Sequence, residues 1–157
     1  MRMRVSTRRQ EMGSDDWAKV VLLVAPWCDA VVLTVPRSLS LRRRLGWTDS
    51  LDEPWRSLSV KHADIARTPC GSSVGQATAF WLPTNESTLR VLLRTCPNPF
   101  DWLWLNRVPE DIAFLKGTHL VVGVIAHERE VVSQGLSPTQ WAAVERAVPQ
   151  IRELIRS

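Results

Sequence analysis

Tyrosine is absent from this chain, lysine occurs only three times, and the three cysteines, Cys28, Cys70 and Cys96, contain no Cys-x-x-Cys pair. An odd cysteine count without paired spacing excludes a closed disulfide framework and fits reduced thiols in a cytoplasm. No apolar run approaches the roughly 20 residues that cross a bilayer, so no membrane partner is expected. The first residues, MRMRVSTRRQEMGSDD, are positive but lack an apolar stretch of about 7 to 15 residues and a small-residue cleavage site, so export is not expected either. Internal repeats and low-complexity segments are missing.

What is present has the dimensions of one domain. A length of 157 residues with 45% hydrophobic content is enough to bury a substantial core. The net charge of +4 suggests nucleic acid until its distribution is considered. Arg2, Arg4, Arg8 and Arg9 supply the whole excess, and residues 11–157 hold 16 basic and 16 acidic side chains. Residues 1–14 therefore read as a disordered basic tail before a single domain over 15–157, with Met1 or Met12 as the start, and nucleic acid is not the expected partner. The 17 arginines suit paired acidic groups on a protein partner, and their excess over lysine suggests a bacterial coding background.

Residues 18–24 (AKVVLLV) and 30–35 (AVVLTV) are β-branched runs five residues apart, the spacing of a hairpin at the centre of a sheet. Residues 36–75 mix glycine, proline and isolated tryptophans, with a short helix expected within 52–66 and covering loop elsewhere. Residues 76–82 (QATAFWL) read as a strand stopped by Pro83. A helix then starts with Asn85 as N-cap and buries Leu89, Leu92, Leu93 and Cys96. Residues 102–105, 111–115 and 118–126 follow as strands, the last two joined at Lys116-Gly117. A C-terminal helix opens with a Ser137/Gln140 capping box and Pro138 at its first position. It turns Trp141, Val144, Val148, Ile151 and Ile155 inward, with Pro149 kinking or splitting it. The order predicts an α+β fold: an antiparallel sheet of about five to six strands with two main helices packed on one face.

Residues 100–128 combine the clearest strand patterns with Glu110, Asp111, His119, His127 and Glu128. On a strand His119 and His127 would stand roughly 26 Å apart, too far to share a metal, and His127 and Glu128 would point to opposite faces. The H-E-x-x-H zinc motif is absent. The one catalytic arrangement left is His127 as a base oriented by Asp111 or Glu128. The loop Gly71-Ser72-Ser73-Val74-Gly75 lacks the Gly-Lys-Ser/Thr of a phosphate loop and the spacing of a serine nucleophile elbow, and reads as a flexible connection.

Val24-Ala25-Pro26-Trp27-Cys28 resembles the strand and active-site entrance of thioredoxin. The resemblance covers five residues. It implies a redox cysteine at Cys28, but Val31 stands where that family has its second cysteine. The β-forming run 30–35 also replaces the helix that would lower the thiol pKa.

Eight tryptophans invite an interface reading, because a large rigid ring gives much contact area at small entropic cost. Trp141 and Trp81 are expected in the core. Trp47 and Trp55 flank Asp49, Asp52 and Glu53, which together form the expected binding surface. The resulting expectation is a cytoplasmic, non-catalytic macromolecule-binding protein without cofactor or metal, such as a small bacterial inhibitor or toxin-neutralising (immunity) protein. Its partner is another protein, and homo-oligomerisation is compatible with it. The alternatives are a small hydrolase using His127, and a small-ligand module with a pocket between sheet and helices.

Overall fold

The computed structural model describes residues 12–36, 55–101, 110–126 and 128–156. One sheet gathers every described strand, in the order β2-β3-β1-β4-β5-β6-β7. The strands are β1 (Ala30–Pro36), β2 (Lys61–Arg67), β3 (Ser73–Pro83), β4 (Glu110–Lys116), β5 (His119–Ile125), β6 (Glu130–Ser133) and β7 (Ile155–Arg156). All neighbours run antiparallel except β6 and β7, which are parallel. The helices are α1 (Ser14–Val24), α2 (Trp55–Leu58), α3 (Glu86–Thr95), α4 (Pro138–Ala147) and α5 (Ile151–Leu154). The α+β expectation holds. Among the described residues no helix is long and apolar enough to cross a membrane.

The expected hairpin of 18–24 with 30–35 is not formed: the first run is helix. Trp17, Val20, Val21 and Val24 are buried at the i, i+3, i+4, i+7 spacing of one helical face, while Leu22 stays exposed. Asp15 and Asp16 occupy the first turn, where the helix dipole favours negative charge. Ser14 and Met12, expected in the tail over 1–14, are the first helical residue and a fully buried core residue. The second run does form a central strand, with Val31, Val32 and Leu33 wholly buried between β3 and β4.

The other helix signals hold. The Asn85 Oδ1 accepts from the Thr88 N–H at 2.9 Å, and both bonds of the Ser137/Gln140 capping box are present. Pro149 ends α4 at Ala147, and the chain restarts as α5. Ile155, expected on that helix, instead pairs in parallel with Val131. The short helix expected within 52–66 is α2, but β2 replaces the loop expected after it. Trp141 and Trp81 are only partly buried, against the core rather than inside it. The strand expected over 102–105 lies outside the described residues.

Side chains of α1, α3, α4 and α5 meet alternate strand residues, among them Val31, Leu33, Leu82, Ile112 and Phe114, in one core cluster. The Trp17 and Phe114 rings sit edge to face, 6.4 Å apart. The intervening residues Val32, Ala79, Ala113 and Leu115 form a second cluster with Cys70.

Cys70 belongs to the tip of the β2–β3 hairpin, which arches over that second face. Only residues 77–83 of β3 pair with β1, and the β2–β3 register shifts between Ile65 and Arg67. Gly71 and Gly75 take positive φ of 92° and 66°, which lets the hairpin bend. The tip thereby crosses three strand spacings, about 14 Å, to reach β4 and β5. There the Cys70 thiol lies 3.7 Å from the Ile112 carbonyl and 3.9 Å from that of Val124. Gly123 makes room for it, since a Cβ at that position would stand 2.3 Å from Cys70 Sγ. Gly123→Ala should cost about 1–3 kcal/mol in urea unfolding. Adding Cys70→Ala should recover part of that loss, and strict additivity of the two would rule out the contact.

Candidate functional site

The arched tip leaves a cleft of about 480 Å³ between itself and the end of β5–β6. Residues 70–73 form one wall, and Ile125, Glu128 and residues 132–134 form the other. The tip is ordered by its own bonds: the Thr68 N–H donates to the Ser72 carbonyl, the Gly71 N–H to the Thr68 carbonyl, and the Ser72 N–H to Thr68 Oγ1. The connection expected to be flexible is therefore a docked turn. The N–H groups of Thr68, Gly71 and Ser72 are thus used within the turn. On the opposite wall the Ser133 hydroxyl donates to the Val121 carbonyl at 3.3 Å. Ser72 Oγ is buried and meets no hydrogen-bond partner among the described residues.

Asp111 stands beside this cleft in a structural position. Leu33 pairs with Ile112 and Thr34 with Glu110, so Asp111 is the extra residue of a β-bulge, with φ of +49°. Aspartate tolerates that left-handed conformation better than most residues. Its buried carboxylate accepts the Ala126 N–H at 3.1 Å, tying the start of β4 to the end of β5. Arg129, at φ +57°, closes the following turn by donating its N–H to the Ala126 carbonyl, and its guanidinium lies 5.9 Å from the Phe100 ring. Glu128 is exposed at the cleft and His119 is exposed at the start of β5.

His127 lies outside the described residues, and so do Trp47, Asp49, Asp52 and Glu53. Of the expected binding surface only Trp55 is described, and its ring is buried in the first core cluster at 4% exposure. The bulge at Asp111 and the cleft were not read from the sequence. The available signals were Gly71 and Gly75 around an apolar Cys70, and Gly123 inside an otherwise bulky strand.

Cys70 at the cleft and Cys28 before β1 are both buried. Burial, with the Asp111 charge adding to it, holds the Cys70 thiol well above the usual range. Cys28 is pushed up to about 12, again mainly by burial, with Asp29 adding and Lys116 opposing. The five residues resembling thioredoxin also sit in reversed order, running from a helix through a 3-10 turn, Ala25–Trp27, into a strand. A redox cysteine needs a lowered pKa, which the burial of Cys28 opposes.

Comparison with known protein families, curated proteins and solved structures finds no match to this chain. The fold and cleft define it at the level of class, as an α+β protein with a strongly bent β-hairpin.

The role of Asp111 is testable by substitution. Asp111→Ala, which loses an acceptor and strains a left-handed backbone, should lower unfolding free energy by about 1–3 kcal/mol. Asp111→Asn, which keeps both properties, should cost less; equal losses would contradict the bulge role. The raised thiol gives a pH signature of definite sign. An unfolded Cys28 ionises from about pH 9, while the folded one stays protonated until about 12, so its stability contribution is intact below 9 and lost across that window. Wild-type Tm should therefore fall more steeply between those pH values than that of Cys28→Ala.

Proposed function

We propose that this chain is a non-catalytic macromolecule-binding protein whose partner is another protein, in the manner of a small bacterial inhibitor or immunity protein acting in the cytoplasm. The observation supporting this reading is the edge of the sheet at β2. That strand is seven residues long, pairs with β3, and ends the strand order among the described residues. Lys61, His62, Asp64, Ala66 and Arg67 are exposed along it, and Val60 just before it is 73% exposed.

A terminal strand of this length offers a row of backbone donors and acceptors to an incoming strand. Its mixed charges select what can pair. Two copies joined antiparallel about Asp64 would set Lys61 against Arg67, which is repulsive. That register suits a different chain better than a second copy. Lys61 and His62 are also held in place, the first over the Trp81 ring at 4.8 Å and the second 5.9 Å from the Phe80 ring. The edge is thus partly pre-organised, which lowers the entropic cost of association.

Affinity purification from the native cell tests the proposal. The wild-type chain should retain a protein at stoichiometric ratio, and Val60→Asp with Arg67→Glu should weaken that complex about tenfold or more without changing Tm. Repeated recovery of the chain alone at physiological salt, or equal binding by the variant, would count against it.

A further inference from the structure

We infer that the β2 edge takes an extended segment of another protein that carries two carboxylates six residues apart, with small apolar residues between them on the same face. This rests on the reading of that edge as the partner-binding element, and it names the chemistry of the partner. Strand alternation sends Lys61, Ala63, Ile65 and Arg67 to one face of β2, and His62, Asp64 and Ala66 to the other. The contacts agree with this division. Lys61 lies over the ring of Trp81, its neighbour on β3, and Ile65 and Trp81 pack against the same core cluster. His62 meets Phe80, which belongs to the other cluster. One face of the edge therefore reads cation, apolar, apolar, cation, with both ends exposed and Ala63 and Ile65 partly buried.

Among the described residues neither Lys61 nor Arg67 forms an ion pair with a carboxylate. The Trp81 ring holds one side of the Lys61 ammonium, 4.8 Å from the ring centroid, without neutralising it. Asp64 already interacts with another group of the protein and belongs to the opposite face, so it takes no part. A strand laid beside β2 sets its own side chains opposite these at about 5 Å, where carboxylates facing Lys61 and Arg67 are attracted and cations are repelled. The two ends of the pattern are alike in charge, so parallel and antiparallel partners both satisfy it. Spacing selects the conformation. Six residues of strand separate the two cations by about 20 Å, a span that two acids six apart match in an extended chain. In a helix the same two acids would stand only about 9 Å apart along the axis. Charge on an edge strand also guards against self-pairing, and these two cations do both: they repel the two-copy register and attract an acidic strand.

Backbone-amide NMR of the full chain tests this with three end-capped heptapeptides: Glu-Thr-Val-Thr-Val-Thr-Glu, and the versions with Gln or Lys in place of both Glu. The Glu peptide should shift amides of residues 61–67 and bind about fivefold or more tightly than the Gln peptide, with the Lys peptide weakest. Glu-Thr-Val-Thr-Val-Glu-Thr, which turns one acid to the other face, should bind less tightly than its parent. Lys61→Glu combined with Arg67→Glu, both at exposed positions, should reverse the order, so that the Lys peptide binds most tightly. Equal binding of the three peptides, an unreversed order in the doubly substituted chain, shifts confined to residues away from β2, or no shift up to about 5 mM would overturn the acidic-strand inference. The affinity purification reads the partner itself. A protein retained there alongside any of these results leaves the partner-binding reading standing while this inference fails.

Discussion

The contact between the Cys70 thiol and the empty side-chain position of Gly123 governs the shape of the sheet's second face. With it the tip is drawn across β1 and β4, and Cys70 donates toward carbonyls on both β4 and β5. The thiol is small, apolar enough to be buried, and still a weak donor, which suits a crowded contact between backbones. Its pKa is raised by the same burial that makes it a good packing group, so packing opposes ionisation here.

The bulge at Asp111 serves the same geometry from the other side. An added residue in β4 increases the local twist and turns an aspartate carboxylate onto the Ala126 N–H, where β5 ends. The turn that follows, closed at Arg129, sets Glu128 on the wall facing the hairpin tip. Tip and turn supply walls of the cleft and the bulge ties down the end of β5, each built on a residue with positive φ: Gly71, Arg129 and Asp111. The acids singled out as possible catalytic partners thus divide their work. Asp111 fixes backbone, and Glu128 stands exposed on the cleft wall.

Much of the fold was legible because it rests on local signals. Asn85, the Ser137/Gln140 box, Pro149 and the Lys116-Gly117 turn act within a few residues of themselves, and the structure places each as read. The failures have physical causes. Residues 18–24 are apolar at nearly every position, so period 2 and period 3.6 cannot be told apart until Trp17 and the acidic first turn are included. β2 escaped notice because its two faces are mostly polar, with only Ala63 and Ile65 partly buried. Ile155 became a strand because a parallel partner, Val131, was available 24 positions earlier in the chain, which no local pattern shows.

Of the candidate site, the sequence by itself determined the ingredients: an α+β class, a small-residue loop after Cys70, a glycine in the middle of β5, and acids grouped near its ends. Only the tertiary structure decided that the loop lands on the glycine. That contact joins residues more than 50 positions apart, and it follows from how far a bent hairpin can reach over a sheet of fixed strand spacing. Composition and periodicity report on neighbours one or two turns away. The cleft exists because two segments that are distant in the chain approach from opposite sides.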